Sequence, residues 1–124
     1  MLRSLNVLGQ PLRPCSQSPL TGWFRDGCCN TDDRDRGLHT VCARVTQDFL
    51  LYLQSQGNDL ITPMPEVGFA GLRPGDQWCV VAASWVQAQR AGRACPILLE
   101  STHLATLAVV PLEVLMAHAW GDAD

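Results

Sequence analysis

A chain of 124 residues, 47% hydrophobic and 17% charged, has the apolar content of one folded core and too little charge for a disordered segment. Its net charge of −3 is spread without a basic run, which argues against nucleic acid as a partner, and all nine basic residues are arginine. No apolar run approaches the roughly 18 residues of a membrane helix, and the opening MLRSLNVLGQPLRPC lacks the continuous apolar stretch of a signal peptide. The expectation is one cytoplasmic domain over residues 1–124 with no membrane partner. Its six cysteines are then mostly thiols, with an extracellular framework of three disulfides as the alternative.

Residues 1–22 read as extended, because Pro11, Pro14, Pro19 and Gly22 forbid a long helix; Met1–Leu8 can add an edge strand. Residues 25–39 read as an ordered loop whose Gly, Asn, Thr and Asp residues suit tight turns. Val41–Val45 reads as a strand. Thr46 caps a helix with Asp48 in its first turn and Phe49, Leu50 and Leu53 on one face, and Gly57 ends it. Asn58–Pro74 is a second long loop. Trp78–Ala82 reads as a strand, Ser84–Ala91 as helix with Trp85 and Ala88 inward, and Ile97–Leu99 as a strand. Strand, helix, strand at that spacing favours a parallel pair with a right-handed crossover. Thr102 can cap a short helix, Val109–Val110 can form a brief strand, and Pro111 opens a last helix that runs to Trp120.

The densest chemistry lies in Gly22–Cys42, GWFRDGCCNTDDRDRGLHTVC, with three cysteines, one histidine, four aspartates and three arginines. A long irregular segment inside a small domain is functional or flexible. Cys28, Cys29, His39 and Cys42 are candidate zinc ligands, His39 and Cys42 forming an H-x-x-C half site. Adjacent Cys28 and Cys29 make a poor second half, because neighbouring side chains diverge; one of them with Cys79 or Cys15 could complete the set. A thiol nucleophile is the other version: Cys29 attacks, His39 moves the proton, and Asp35 orients the imidazole. The duller alternatives are that Cys42 and Cys79 are small buried hydrophobes in strands, and that Asp26, Asp35 and His39 only brace turns.

Asp59 follows a helix end and His103 follows a strand end, so both are further ligand-binding candidates with Asp26, although turn and cap roles explain such positions equally well. Trp23, Trp78, Trp85 and Trp120 are spaced as core or groove residues, and their strand and helix neighbours favour core. No Gly-rich phosphate loop is present.

These residues resemble domain of unknown function family 2237, small and mostly bacterial proteins. The resemblance is carried by NVLGQPLRPCS (6–16), TGWFRDGCCNT (21–31), GLHTVCARVTQDFL (37–50), GNDLITP (57–63), GLRPGDQWC (71–79) and LESTH (99–103). It implies one compact α+β domain and brings no reaction, substrate or cofactor. The chain differs from the family pattern at Asp32, where glycine is usual, at Val81 and Ser84, where cysteine and arginine are usual, and at Gln87, which replaces an acid.

The resulting expectation is an α+β fold, a small mixed sheet flanked by helices, with long ordered loops at one end. The Gly22–Cys42 loop carries a small-ligand or thiol/histidine site centred on Cys29, His39 and Asp35. The competing classes are a zinc protein that uses Cys29, His39 and Cys42, and a non-catalytic interaction module. Neither cofactor nor oligomeric state is specified by the residues.

Overall fold

Two short strands organise the molecule. In the computed structural model, which describes residues 4–120, β1 (Val41–Arg44) pairs antiparallel with β2 (Gln77–Val80). The register sets Val41 opposite Val80, Cys42 opposite Cys79 and Ala43 opposite Trp78. Side chains alternate across a strand. Val41, Ala43, Trp78 and Val80 therefore join the main apolar core on one face, while Cys42 and Cys79 cluster on the other.

The other edge of β1 is taken by Ile97, which is fully buried. It forms an antiparallel bridge to Ala43 and a parallel one to Ala119, so the small sheet has pairing of both kinds. The expected direct pairing of Trp78–Ala82 with Ile97–Leu99 does not form. Both segments run antiparallel to β1 and so run alike, but β1 is inserted between them. The helix connecting them, α2 (Ala82–Arg90), spans that inserted strand.

The α1 helix (Gln47–Ser55) forms where its local signals place it. The Thr46 hydroxyl accepts a bond from the Phe49 amide at 3.1 Å, and Phe49, Leu50 and Leu53 supply its buried stripe. It ends in the pattern of a Schellman motif: the Asn58 amide bonds the Leu53 carbonyl and the Gly57 amide bonds that of Gln54, with Gly57 at φ 90°. The end of α2 repeats it around Gly92 at φ 73°, with Arg93 bonding Ala88. Trp85 and Ala88 of α2 are buried, and the Trp85 indole N–H donates to the Cys95 carbonyl. α3 (Leu112–Ala117), preceded by Pro111, adds Leu115 to the same core.

Three local expectations change. Thr102 caps no helix. Its hydroxyl accepts the Cys42 amide and donates to the Leu98 carbonyl, binding it to the sheet, and His103 caps the 3-10 turn Leu104–Ala108 instead. Val109–Val110 is no strand, because both amides bond back to the Thr106 carbonyl. At the N-terminus only single bridges form, Leu5 to Pro11 and Asn6 to His103; residues 1–3 of the expected edge strand lie outside the described residues.

Replacing Thr46 by Ala removes the only side-chain cap of α1 and is expected to lower stability by about 1 kcal/mol. Equilibrium urea unfolding measures it, and an unchanged midpoint would contradict that role for Thr46.

Candidate functional site

Antiparallel ladders alternate between pairs that exchange backbone hydrogen bonds and pairs that do not, and the second kind brings side chains closer. Cys42 and Cys79 are of the second kind. The Cys42 amide goes to the Thr102 hydroxyl, its carbonyl accepts from Leu98, and the Cys79 amide goes to the Thr21 hydroxyl. Their sulfurs therefore start as near neighbours. Cys15 and Cys29 arrive over the same face and close two disulfides, Cys15–Cys42 and Cys29–Cys79, with Cα separations of 5.7 and 5.2 Å. The expectation of mostly free thiols is corrected here: four of the six cysteines are bonded, and only Cys28 and Cys95 are free. Bridges spanning 27 and 50 residues restrict the unfolded chain, and each is worth about 2–4 kcal/mol on that account.

The Cys29–Cys79 bridge fastens residues 22–42 to β2, the Cys15–Cys42 bridge fastens the preceding segment to β1, and local bonds shape the loop. The Gly27 carbonyl accepts from the Cys15 and Ser16 amides, the Gly27 amide donates to Thr21, and the Arg25 amide donates to Gly22. Gly22 has φ 105°, and a Cβ there would stand 2.3 Å from the Cys28 carbonyl oxygen, so no other residue fits. Asp32 accepts the Arg34 amide and pairs with its guanidinium at 2.8 Å.

At the centre of this loop the Asp35 side chain is wholly buried. One carboxylate oxygen accepts from the His39 amide at 2.9 Å and from the Thr31 hydroxyl at 3.0 Å. The other lies 2.7 Å from His39 Nδ1. A carboxylate only accepts, so Nδ1 carries the proton in this pair. Nε2 is left as the nitrogen able to exchange one with a ligand, and no hydrogen bond engages it among the described residues. The Trp23 ring stacks on the imidazole, with centroids 5.6 Å apart. Leu38, just before His39, holds φ 57°, and Arg25 holds φ 55°. Such backbone costs about 1–3 kcal/mol per residue outside glycine and gathers at functional sites.

His39 opens onto a cavity of about 410 Å³ between the loop, β2 and residues 58–69. Its walls include Trp23, Met64, Val67, Phe69 and Trp78, with Arg25, Asn58 and Asp59 as polar members. The Arg25 guanidinium lies 5.2 Å from the centre of the Trp78 ring and donates to the Gly22 carbonyl. Among the described residues no carboxylate pairs with it.

The structure thus brings His39 and Asp35 together and puts His39 and Asp59 on one cavity. It does not offer Cys29 as an attacking thiol. That sulfur is bonded to Cys79 and has no exposed surface, so the nucleophile reading is corrected for the oxidised chain. Nor does His39 join a sulfur cluster. Among the described residues the one group of potential metal ligands is Cys15, Cys29 and Cys79, so the combination of Cys29, His39 and Cys42 is not assembled. Asp26 does not line the cavity; its carboxylate accepts the Cys28 amide and turns the loop. The Asp59 carboxylate accepts the Ile61 and Thr62 amides, and the Thr62 side chain, then these amides, hold it below the usual carboxylate range. His103 lies away from the cavity lining. Its Nδ1 accepts the Ala105 amide, and burial pushes its pKa down.

Residue reading alone missed Trp23, Arg25, Met64, Val67, Phe69 and Trp78 as cavity walls. Of these only Trp23 carries a signal that residues alone could have shown, a large ring inside an otherwise hydrophilic loop. It is exposed and stacked on His39, while Trp85 is core and Trp120 is exposed, with Arg44 over its ring.

The model of a family described as an uncharacterized protein conserved in bacteria, domain of unknown function 2237, matches residues 5–119, and the chain belongs to that family. No curated protein matches it. No helix among the described residues is long and apolar enough to cross a membrane.

The remaining free thiols are poorly suited to attack. Burial, then the negative charge of Asp26, raises the pKa of Cys28; burial pushes Cys95 up to about 12. A thiolate, not a thiol, reacts. Alkylation of Cys28 by iodoacetamide at pH 7 is expected to be slower than that of free cysteine, with Cys95 unreactive until the chain unfolds. Peptide mass mapping of the time course checks this, and a Cys28 rate above that of free cysteine would contradict it.

Proposed function

We propose that the protein binds a small organic anion with an aromatic or branched aliphatic body, and that the Asp35–His39 pair exchanges a proton with it. The observation that carries this reading is the buried Asp35 carboxylate 2.7 Å from Nδ1 of a histidine on the cavity wall. A fixed tautomer with Nε2 free is what proton transfer at a bound molecule requires. Trp23, Phe69, Trp78, Met64 and Val67 suit an apolar body, because such pockets are mostly apolar with a few convergent polar groups. Arg25 supplies the anchoring charge. The competing interaction module accounts for Asp35 as a brace of the loop but leaves the cavity without a task.

The test uses the oxidised full chain and a set of aryl and alkyl carboxylic acids. Binding is followed by amide and indole chemical shifts, with calorimetry in buffers of different ionisation enthalpy. The expected result is saturable shifts at Trp23 and His39, a Kd raised about tenfold or more by Arg25→Ala as one charge-assisted bond is lost, and uptake of a proton from buffer at Nε2 of His39 as the carboxylate binds, which disappears in His39→Gln. Acids that bind with equal affinity to Arg25→Ala, or whose binding to the wild-type chain takes up no proton, would count against the reading.

A further inference from the structure

The sulfur cluster lies behind the cavity wall, to which Cys79 contributes. The Sγ atoms of Cys15, Cys29 and Cys79 all lie within 4.8 Å of one another, and Cys42 is bonded to Cys15 and sits directly opposite Cys79 across the ladder. All four residues are buried, packed together with Leu98 as their apolar neighbour. Four disulfide-forming cysteines more often lie as two separate staples. Here both staples converge on one spot because Cys42 and Cys79 are a non-hydrogen-bonded pair.

We propose that the reduced chain binds one zinc ion through Cys15, Cys29, Cys42 and Cys79. Zinc bonds thiolate at about 2.3 Å in a tetrahedron, which sets sulfurs about 3.8 Å apart. Three of the four are already gathered to that scale, and the fourth is attached to one of them. The backbone asks for little change, since the same four points of the chain are tied together in either state. The ion replaces two covalent ties with four coordinate ones, so the loop stays fastened when the bridges open.

The chemistry balances with a dithiol as reductant. Each of two dithiols transfers two electrons and two protons to one bridge, giving four cysteine thiols and two oxidised, cyclic disulfides of the reductant. Zinc then displaces the four thiol protons to solvent, and the site carries four thiolates. Two equivalents of hydrogen peroxide reverse it: each takes two electrons from a pair of thiolates and two protons from solvent and leaves as two waters, while two disulfides form and the ion departs.

The experiment uses the full chain, reduced without oxygen by a dithiol that is then removed, and loaded with cobalt as a coloured substitute or with zinc. The expected result is one metal per chain, a sulfur-to-cobalt charge-transfer band with intense tetrahedral visible bands, and loss of both in Cys15→Ser and Cys79→Ser. Cys28→Ser and Cys95→Ser keep them. A second measurement needs no variant. With zinc present, alkylation followed by peptide mapping should mark Cys28 alone of the six cysteines in the folded chain, with Cys15, Cys29, Cys42 and Cys79 protected at least tenfold relative to the metal-free reduced chain. Absence of the thiolate band, protection centred on Cys28 or Cys95, or a reduced chain that stays unfolded with zinc added would each overturn the proposal.

Discussion

The rest of the structure depends on the facing of Cys42 and Cys79 across β1 and β2. An antiparallel register one residue out would leave Cys42 and Cys79 on opposite faces, one of them in the main core, because a strand alternates strictly. In the observed register the sheet has an apolar face that receives three helices and a sulfur face that receives two loops. A hydrophilic segment with four aspartates cannot be held by burial of its own side chains. Covalent ties at Cys15 and Cys29, together with backbone bonds at Gly27 and Thr21, do the holding.

Once the loop is fastened, its inner chemistry follows. Asp35 is fully buried because the loop folds over it, and its bonds to Thr31 and to the His39 amide and ring compensate the loss of water. Without those partners a buried carboxylate costs several kcal/mol. The same closure sets His39 against Trp23 and opens the cavity toward Arg25 and Trp78. Strained backbone at Arg25 and Leu38 sits on either side of this arrangement, and the fastened loop sustains it.

What could be read from the residues was local. The Thr46 cap, the Gly57 and Gly92 helix ends, and the inward face of Trp85 and Ala88 each rest on neighbours within a few positions. The spacing of Asp35 and His39 is equally short, and it drew attention to the pair that the fold joins. The misreadings are long-range. Nothing within Ile97–Leu99 announces that β1 will lie between it and β2. Nothing near Thr102 announces that its hydroxyl will serve the Cys42 amide, 60 residues away. The cysteine pairing belongs with these, since four thiols can join in three ways and the bonded partners lie 27 and 50 residues apart. Cys29 was recognised as important for its loop, but its partner in β2 lies 50 residues on. Phe69 and Met64 carry no marking of their own, because an apolar residue on a cavity wall has the same composition signature as one in a core.

Hydrogen exchange of the oxidised chain against the chain with its four bridged cysteines changed to Ser measures the central claim directly. The account predicts that amides of residues 25–40, His39 among them, exchange slowly in the oxidised chain and lose that protection in the variant, while α1 and α2 remain protected. Equal exchange of that segment in both chains, with the helices intact, would contradict it.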